Sequence, residues 1–79
     1  MHTVTVHYFA VLREKKGVDK ESVEFLEQET VEELFLRLFP GFAKERIRVG
    51  FAINQHYCPG AQALMDGDEV AFIPPLGGG

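Results

Sequence analysis

The residues with the clearest chemical use stand together: Pro74, Pro75, Leu76, Gly77, Gly78 and Gly79 follow directly on the short apolar run from Val70 to Ile73. Proline holds φ near −65° and pushes the residue before it out of the α region, so the exit from that run is expected to stay extended. Glycine has no Cβ, so a Gly-Gly-Gly stretch can thread a channel too narrow for side chains. A stiff stem carrying a thin tail suits one task, which is delivering the Gly79 carboxylate into the active site of another protein. The competing reading is a frayed terminus, since disorder concentrates at chain ends. Against it, no linker separates the Gly67-Asp68-Glu69-Val70 turn and strand from the prolines. Leu76 to Gly79 is therefore expected to be mobile in the free protein and ordered in a complex.

Nothing else in the chain reads as an active site. His56 and Cys58 form an H-x-C pair, but two ligands fall short of the three or four that zinc takes, so no metal is expected. Cys58 reads as a small hydrophobe in a loop beside Pro59, His2 and His7 as strand residues facing away from the core, and Glu14, Glu21, Glu24 and Glu27 as a solvated surface. Leu64 and Met65 read as core. Gly79 is then a carrier and not a catalyst.

The chain's 79 residues, 46% hydrophobic and 25% charged, make one domain (1–79) with a small core. One cysteine allows no internal disulfide, so packing alone must hold the fold, and a reducing compartment, the cytoplasm, is expected. No apolar stretch approaches a membrane span, and Met1-His2-Thr3-Val4 opens straight into a strand pattern. The net charge of −4 argues against a nucleic-acid partner and suits a positively charged docking face on a protein.

The elements that must position the tail follow from periodicity. Thr3 to Phe9 alternates, with Val4, Val6 and Tyr8 on one face, and Glu21 to Leu26 alternates again, with Val23 and Phe25 inward. The polar Ala10 to Gly17 connection has room for one helical turn. Thr30 with Glu33 makes a capping box, and Val31, Leu34, Phe35 and Leu38 form a helical stripe that Pro40-Gly41 stops. Phe42 to Arg48 is open between short helix and loop. Val49 to Ile53 is a third strand with Asn54-Gln55 as the turn after it, Tyr57 to Ala63 is irregular, and Asp66-Gly67-Asp68 is a turn into the last strand.

This order predicts an α+β fold of the ubiquitin-like β-grasp kind, with one main helix across one face of a mixed sheet and the last strand central, parallel to the first. Val70 and Phe72 then point inward, so Phe9, Ala71 and Ile73 must point outward, with Tyr57 at the rim. These make one apolar docking patch on the uncovered face.

Tyr8-Phe9-Ala10, Leu12-Arg13-Glu14, Gly17, Thr30-Val31 with Leu34, Asn54, Leu64 and the Gly67-to-Phe72 run into Pro74-Pro75 and Gly78-Gly79 together resemble the MoaD/ThiS family of ubiquitin-like sulfur carriers, over the whole length. The Pro-Pro ending is closer to its MoaD branch than to its ThiS branch. The resemblance implies that an ATP-dependent, MoeB-like enzyme adenylates Gly79 and that sulfur then replaces AMP to give a thiocarboxylate. It further implies that Pro74 to Gly78 insert into a MoaE-like large subunit of molybdopterin synthase, where Gly79 donates sulfur to cyclic pyranopterin monophosphate, the chain itself binding no cofactor. Two alternatives are a ThiS-like carrier for thiazole synthesis and a non-covalent ubiquitin-like interaction module. The chain departs from the family pattern at Gly77, where a small or polar residue is usual. The extra freedom raises the ordering cost on insertion by up to ~1 kcal/mol.

Overall fold

Period-two alternation buries Val4, Val6 and Tyr8 along the first strand, β1 (Thr3–Tyr8), in the computed structural model, which describes residues 2–41 and 49–74. The ambiguous stretch Phe42 to Arg48 and the tail residues Pro75 to Gly79 lie outside the described residues. The other elements are α1 (Ala10–Lys16), β2 (Lys20–Glu24), α2 (Val31–Leu38), β3 (Gly50–Ile53), β4 (His56–Cys58) and β5 (Glu69–Ile73). The strands form one sheet in the order β2-β1-β5-β3-β4. β5 runs parallel to β1 (Val6 opposite Val70) and antiparallel to β3 (Phe51 opposite Phe72). This is the expected β-grasp arrangement, with the last strand in the centre.

The capping box forms: Glu33 N–H donates to Thr30 Oγ1 at 3.1 Å, and Thr30 N–H to Glu33 Oε1 at 2.9 Å. The two N–H groups between them go to the loop before β5, Val31 to the Gln62 carbonyl (2.9 Å) and Glu32 to the Gly60 carbonyl (3.0 Å). No orphan donor is left to weaken the start of α2. Its stripe buries Val31, Leu34 and Phe35 against the sheet, with Leu38 half-buried, and the helix is capped by Phe39, one residue before Pro40. Phe35 and Phe72 meet edge to face at 5.0 Å between ring centres, Tyr8 and Phe39 at 5.7 Å. Such pairs add to the stabilisation from burial.

Four readings change. The connection after β1 holds two turns of helix instead of one, anchored by the buried Leu12 and closed by Gly17, whose φ of 79° lets its N–H reach the Arg13 carbonyl. His56 and Cys58 lie on a short edge strand and not in a loop; Asn54 and Gln55, both at positive φ, make the tight hairpin that folds it back. Three residues are too few for alternation to announce a strand. Met65 is exposed although Leu64 is buried. Glu21 is no solvated carboxylate, since it accepts the Tyr8 hydroxyl hydrogen, and burial together with Glu21 pushes that phenol well above its ordinary pKa.

A further carboxylate is buried: Glu29, just before the helix. Arg37 grips it with two hydrogen bonds of 3.0 Å, from Nε and Nη2, and Nη2 also donates to the Glu24 carbonyl at 2.8 Å. Leu26 N–H donates to Glu29 Oε1 at 2.9 Å. Burial pushes the Glu29 carboxyl up, but these donors and the guanidinium charge outweigh it and hold it below its ordinary value.

Candidate functional site

The stem of the tail is fixed by its place in the sheet. β5 is paired on both sides, Val70 and Phe72 are fully buried, and Pro74 is buried in turn. The ladder ends at Ile73, so the missing N–H of Pro74 leaves no pairing broken.

The start of β5 is pinned as firmly. Gly67, at φ 85°, makes the turn and donates its N–H to the Thr3 carbonyl (2.8 Å), while Asp66 Oδ1 accepts Thr3 N–H at 2.9 Å. That Thr3 N–H holds the exposed Asp66 carboxyl below its ordinary pKa. Asn54 reaches over from the β3–β4 hairpin: its Nδ2 donates to Asp68 Oδ1 (3.0 Å) and its Oδ1 accepts Glu69 N–H (2.9 Å). Asn54→Ala removes both bonds and leaves alanine at a φ of 52° that asparagine tolerates better. A loss of about 2 kcal/mol in urea unfolding is expected, with the denaturant slope unchanged.

The sheet face away from α2 is open. One cross-strand row on it reads Lys20, His7, Ala71, Ala52, Tyr57, from β2 to β4. Ala71 and Ala52 floor a trough of about 370 Å³, with His7 and Phe9 on one side and Asn54, Gln55 and Glu69 at a polar end. Ala52 is only 7% exposed although it faces outward, so its neighbours wall it in. His7 Nε2 lies 2.9 Å from Glu69 Oε1.

Of the residues picked from sequence, Phe9 lines this trough and is 48% exposed. Ile73 stands on the same face, opposite Gly50, at the end of β5 from which the tail leaves. The β1–β5 pairing stops at Tyr8 and Phe72, so Phe9 and Ile73 follow it by one residue each. Tyr57, 80% exposed, pairs with Ala52 and so stands two strands from Ala71. Pro74 is at the root of the tail, whereas Pro75, Leu76, Gly77, Gly78 and Gly79 lie outside the described residues. Strand phase turns His7 away from the core, but nothing in the sequence joins it to Ala52, Asn54, Gln55 and Glu69 in one trough. Ala52 and Glu69 carry no signal beyond strand phase, and Asn54 and Gln55 none beyond the turn.

Cys58 is half-buried against the core, and burial, with the charge of Asp68, pushes its thiol up, away from a reactive thiolate. Among the described residues no three His, Cys, Asp or Glu side chains are grouped to hold a metal, and no helix is long and apolar enough to cross a membrane.

The sequence pattern of the ThiS family matches residues 6–79. A molybdopterin synthase sulfur carrier subunit of Chlamydomonas reinhardtii is 38% identical over 96% of this chain and 98% of its own length. One from Mycobacterium tuberculosis is 39% identical over 100% of both. Among solved structures, a putative molybdopterin converting factor subunit 1 from Pyrococcus furiosus is 30% identical, superposes with a TM-score of 0.79 and is covered completely by 96% of this chain.

Proposed function

The chain belongs to the ThiS family, and on that premise we propose that it is the sulfur-carrier subunit of a molybdopterin synthase, with the Gly79 carboxylate as the carrier group. The observation that carries this reading is the full-length similarity to carrier subunits of that synthase, at 38% and 39% identity. The ThiS-like role in thiazole synthesis is the weaker alternative on the same ground.

A free carboxylate is a poor acyl donor. Adenylation by an ATP-dependent, MoeB-like enzyme converts Gly79 into a mixed anhydride with AMP as leaving group, and sulfur from a donor displaces AMP to leave a thiocarboxylate. In the large subunit that sulfur passes to cyclic pyranopterin monophosphate, and water restores the carboxylate. The chain does no catalysis of its own in this scheme, and its setting is the cytoplasm. Its task is positional: a buried Pro74 and a doubly paired β5 fix where the tail begins, and the open face beside that root docks the partner.

Mass spectrometry of the protein from its native host tests the chemistry, since a thiocarboxylate adds about 16 Da over the carboxylate form. A host with an intact pathway yielding only the unmodified mass, even with the large subunit deleted, rejects the proposal. Docking is tested separately. Phe9→Ala and Ile73→Ala are each expected to weaken large-subunit binding by ~2 kcal/mol in calorimetric titration, with little change in monomer stability, because both side chains stand on the open face.

A further inference from the structure

Ala10 has φ of 50°, in the left-handed region that non-glycine residues seldom enter. Asn54 and Gln55, also at positive φ, form a tight hairpin, and the Asn54 amide makes two hydrogen bonds there. Ala10 has no side-chain polar atom to compensate, and it is exposed, so no packing of its methyl requires the conformation.

What requires it is the path of the chain. Tyr8 is buried on the helix side of the sheet, and Phe9, extended at φ −129° and ψ 151°, is turned to the open face. Three residues later Leu12 is fully buried on the helix side again. The backbone must reverse within Ala10 and Val11, and it does so tightly enough for the Phe9 carbonyl to accept Leu12 N–H at 3.0 Å and Arg13 N–H at 3.4 Å. A left-handed residue between an extended residue and a right-handed helix gives that reversal.

We infer that Ala10 is a positioning residue: its left-handed turn, held between Phe9 and the buried Leu12, fixes Phe9 as the wall of the trough above Ala52 and Ala71, so that the docking face is preformed before the partner arrives. This rests on the reading of the open face as the docking surface. Preorganisation matters because a mobile Phe9 would have to be ordered on binding, at the expense of affinity.

The test uses the full chain titrated with the purified large subunit of molybdopterin synthase, thermal unfolding being recorded for every variant. Asparagine and valine are close in size but opposite in tolerance of positive φ. Ala10→Gly and Ala10→Asn are expected to keep affinity within about threefold, and Ala10→Val to lose roughly tenfold, in line with the strain of a β-branched residue there. Ala10→Leu serves if the valine variant does not fold. In a Phe9→Ala background the Ala10→Val change is expected to have no further effect on binding. Equal affinities for the asparagine and valine variants, or an undiminished valine effect without the Phe9 ring, overturn the inference. If Phe9→Ala itself leaves affinity unchanged, the docking reading fails instead.

Discussion

Deleting Gly79, or replacing it with alanine, is expected to lower sulfur transfer by a hundredfold or more while the thermal unfolding of the protein stays as it was. The fold is indifferent because its last core strand ends at Ile73 and its last buried residue among those described is Pro74. On the proposed reading the chemistry is not, because the reacting atom would have to meet its target at a set distance from the stem that ends at Pro74. Displacements near 1 Å can cost roughly a hundredfold in rate, and deletion shortens the reach by a whole residue. Adding one residue after Gly79 moves the carboxylate in the opposite sense and is expected to be equally damaging in a coupled synthase assay. That extension also separates the two classes of function: a carrier loses its activity, whereas a module that only binds through its sheet face keeps its affinity and never needed a transfer step.

The second large effect falls on stability. Arg37→Met removes both guanidinium bonds to the buried Glu29, leaving it the bond from Leu26 N–H, and it also takes away the bond to the Glu24 carbonyl. Breaking a buried ion pair from one side typically costs 3–5 kcal/mol, but Arg37 is partly exposed and water can replace some of its contact, so about 2 kcal/mol is expected. The pH dependence gives a sharper test. The Glu29 carboxyl is lowered in the folded protein, so its contribution is complete above the unfolded carboxylate range and is lost as pH falls through the folded value. Without Arg37, burial acts with less opposition, so the carboxyl rises and less stability is lost on acidification. The stability deficit of the variant in urea unfolding should then be full near neutral pH and shrink as pH falls through the folded Glu29 value of the parent. A deficit that stays constant over that range rejects the clamp.

Much of this architecture was legible in the sequence because its signals are local. Thr30 and Glu33 cap a helix through neighbouring backbone groups, and the alternation of Val4, Val6 and Tyr8 needs only a sheet to face. The Asp66-Gly67-Asp68 turn likewise announces itself. What stayed hidden depends on pairs distant in sequence. Nothing in the sequence marks Glu29 as buried until Arg37, eight residues on, is folded against it, and Glu21 reads as a surface acid until the Tyr8 hydroxyl reaches it. The His56–Cys58 strand exists because β3 offers it a partner, not because its residues prefer extension. The site divides in the same way. Phe9 and Ile73 could be placed on the open face by phase alone, whereas the trough between them and the hairpin needed the register that sets Ala71 against Ala52.

The central position of β5 also governs when the fold can close. The strand is made after every other element, yet it stands between β1 and β3, and its pairing joins Thr5 to Glu69 across nearly the whole chain. On the ribosome the β1–β2 hairpin and α2 emerge first, with no strand to bridge them to the β3–β4 hairpin. Loop closure over such a separation is slow compared with hairpin formation, so the final docking of β5 is expected to set the pace of folding. Val70 and Phe72 complete the core in the same step that brings Ala71 and Ile73 onto the outer face. An unfinished chain therefore has neither the outer face nor the stem on which the proposed transfer depends.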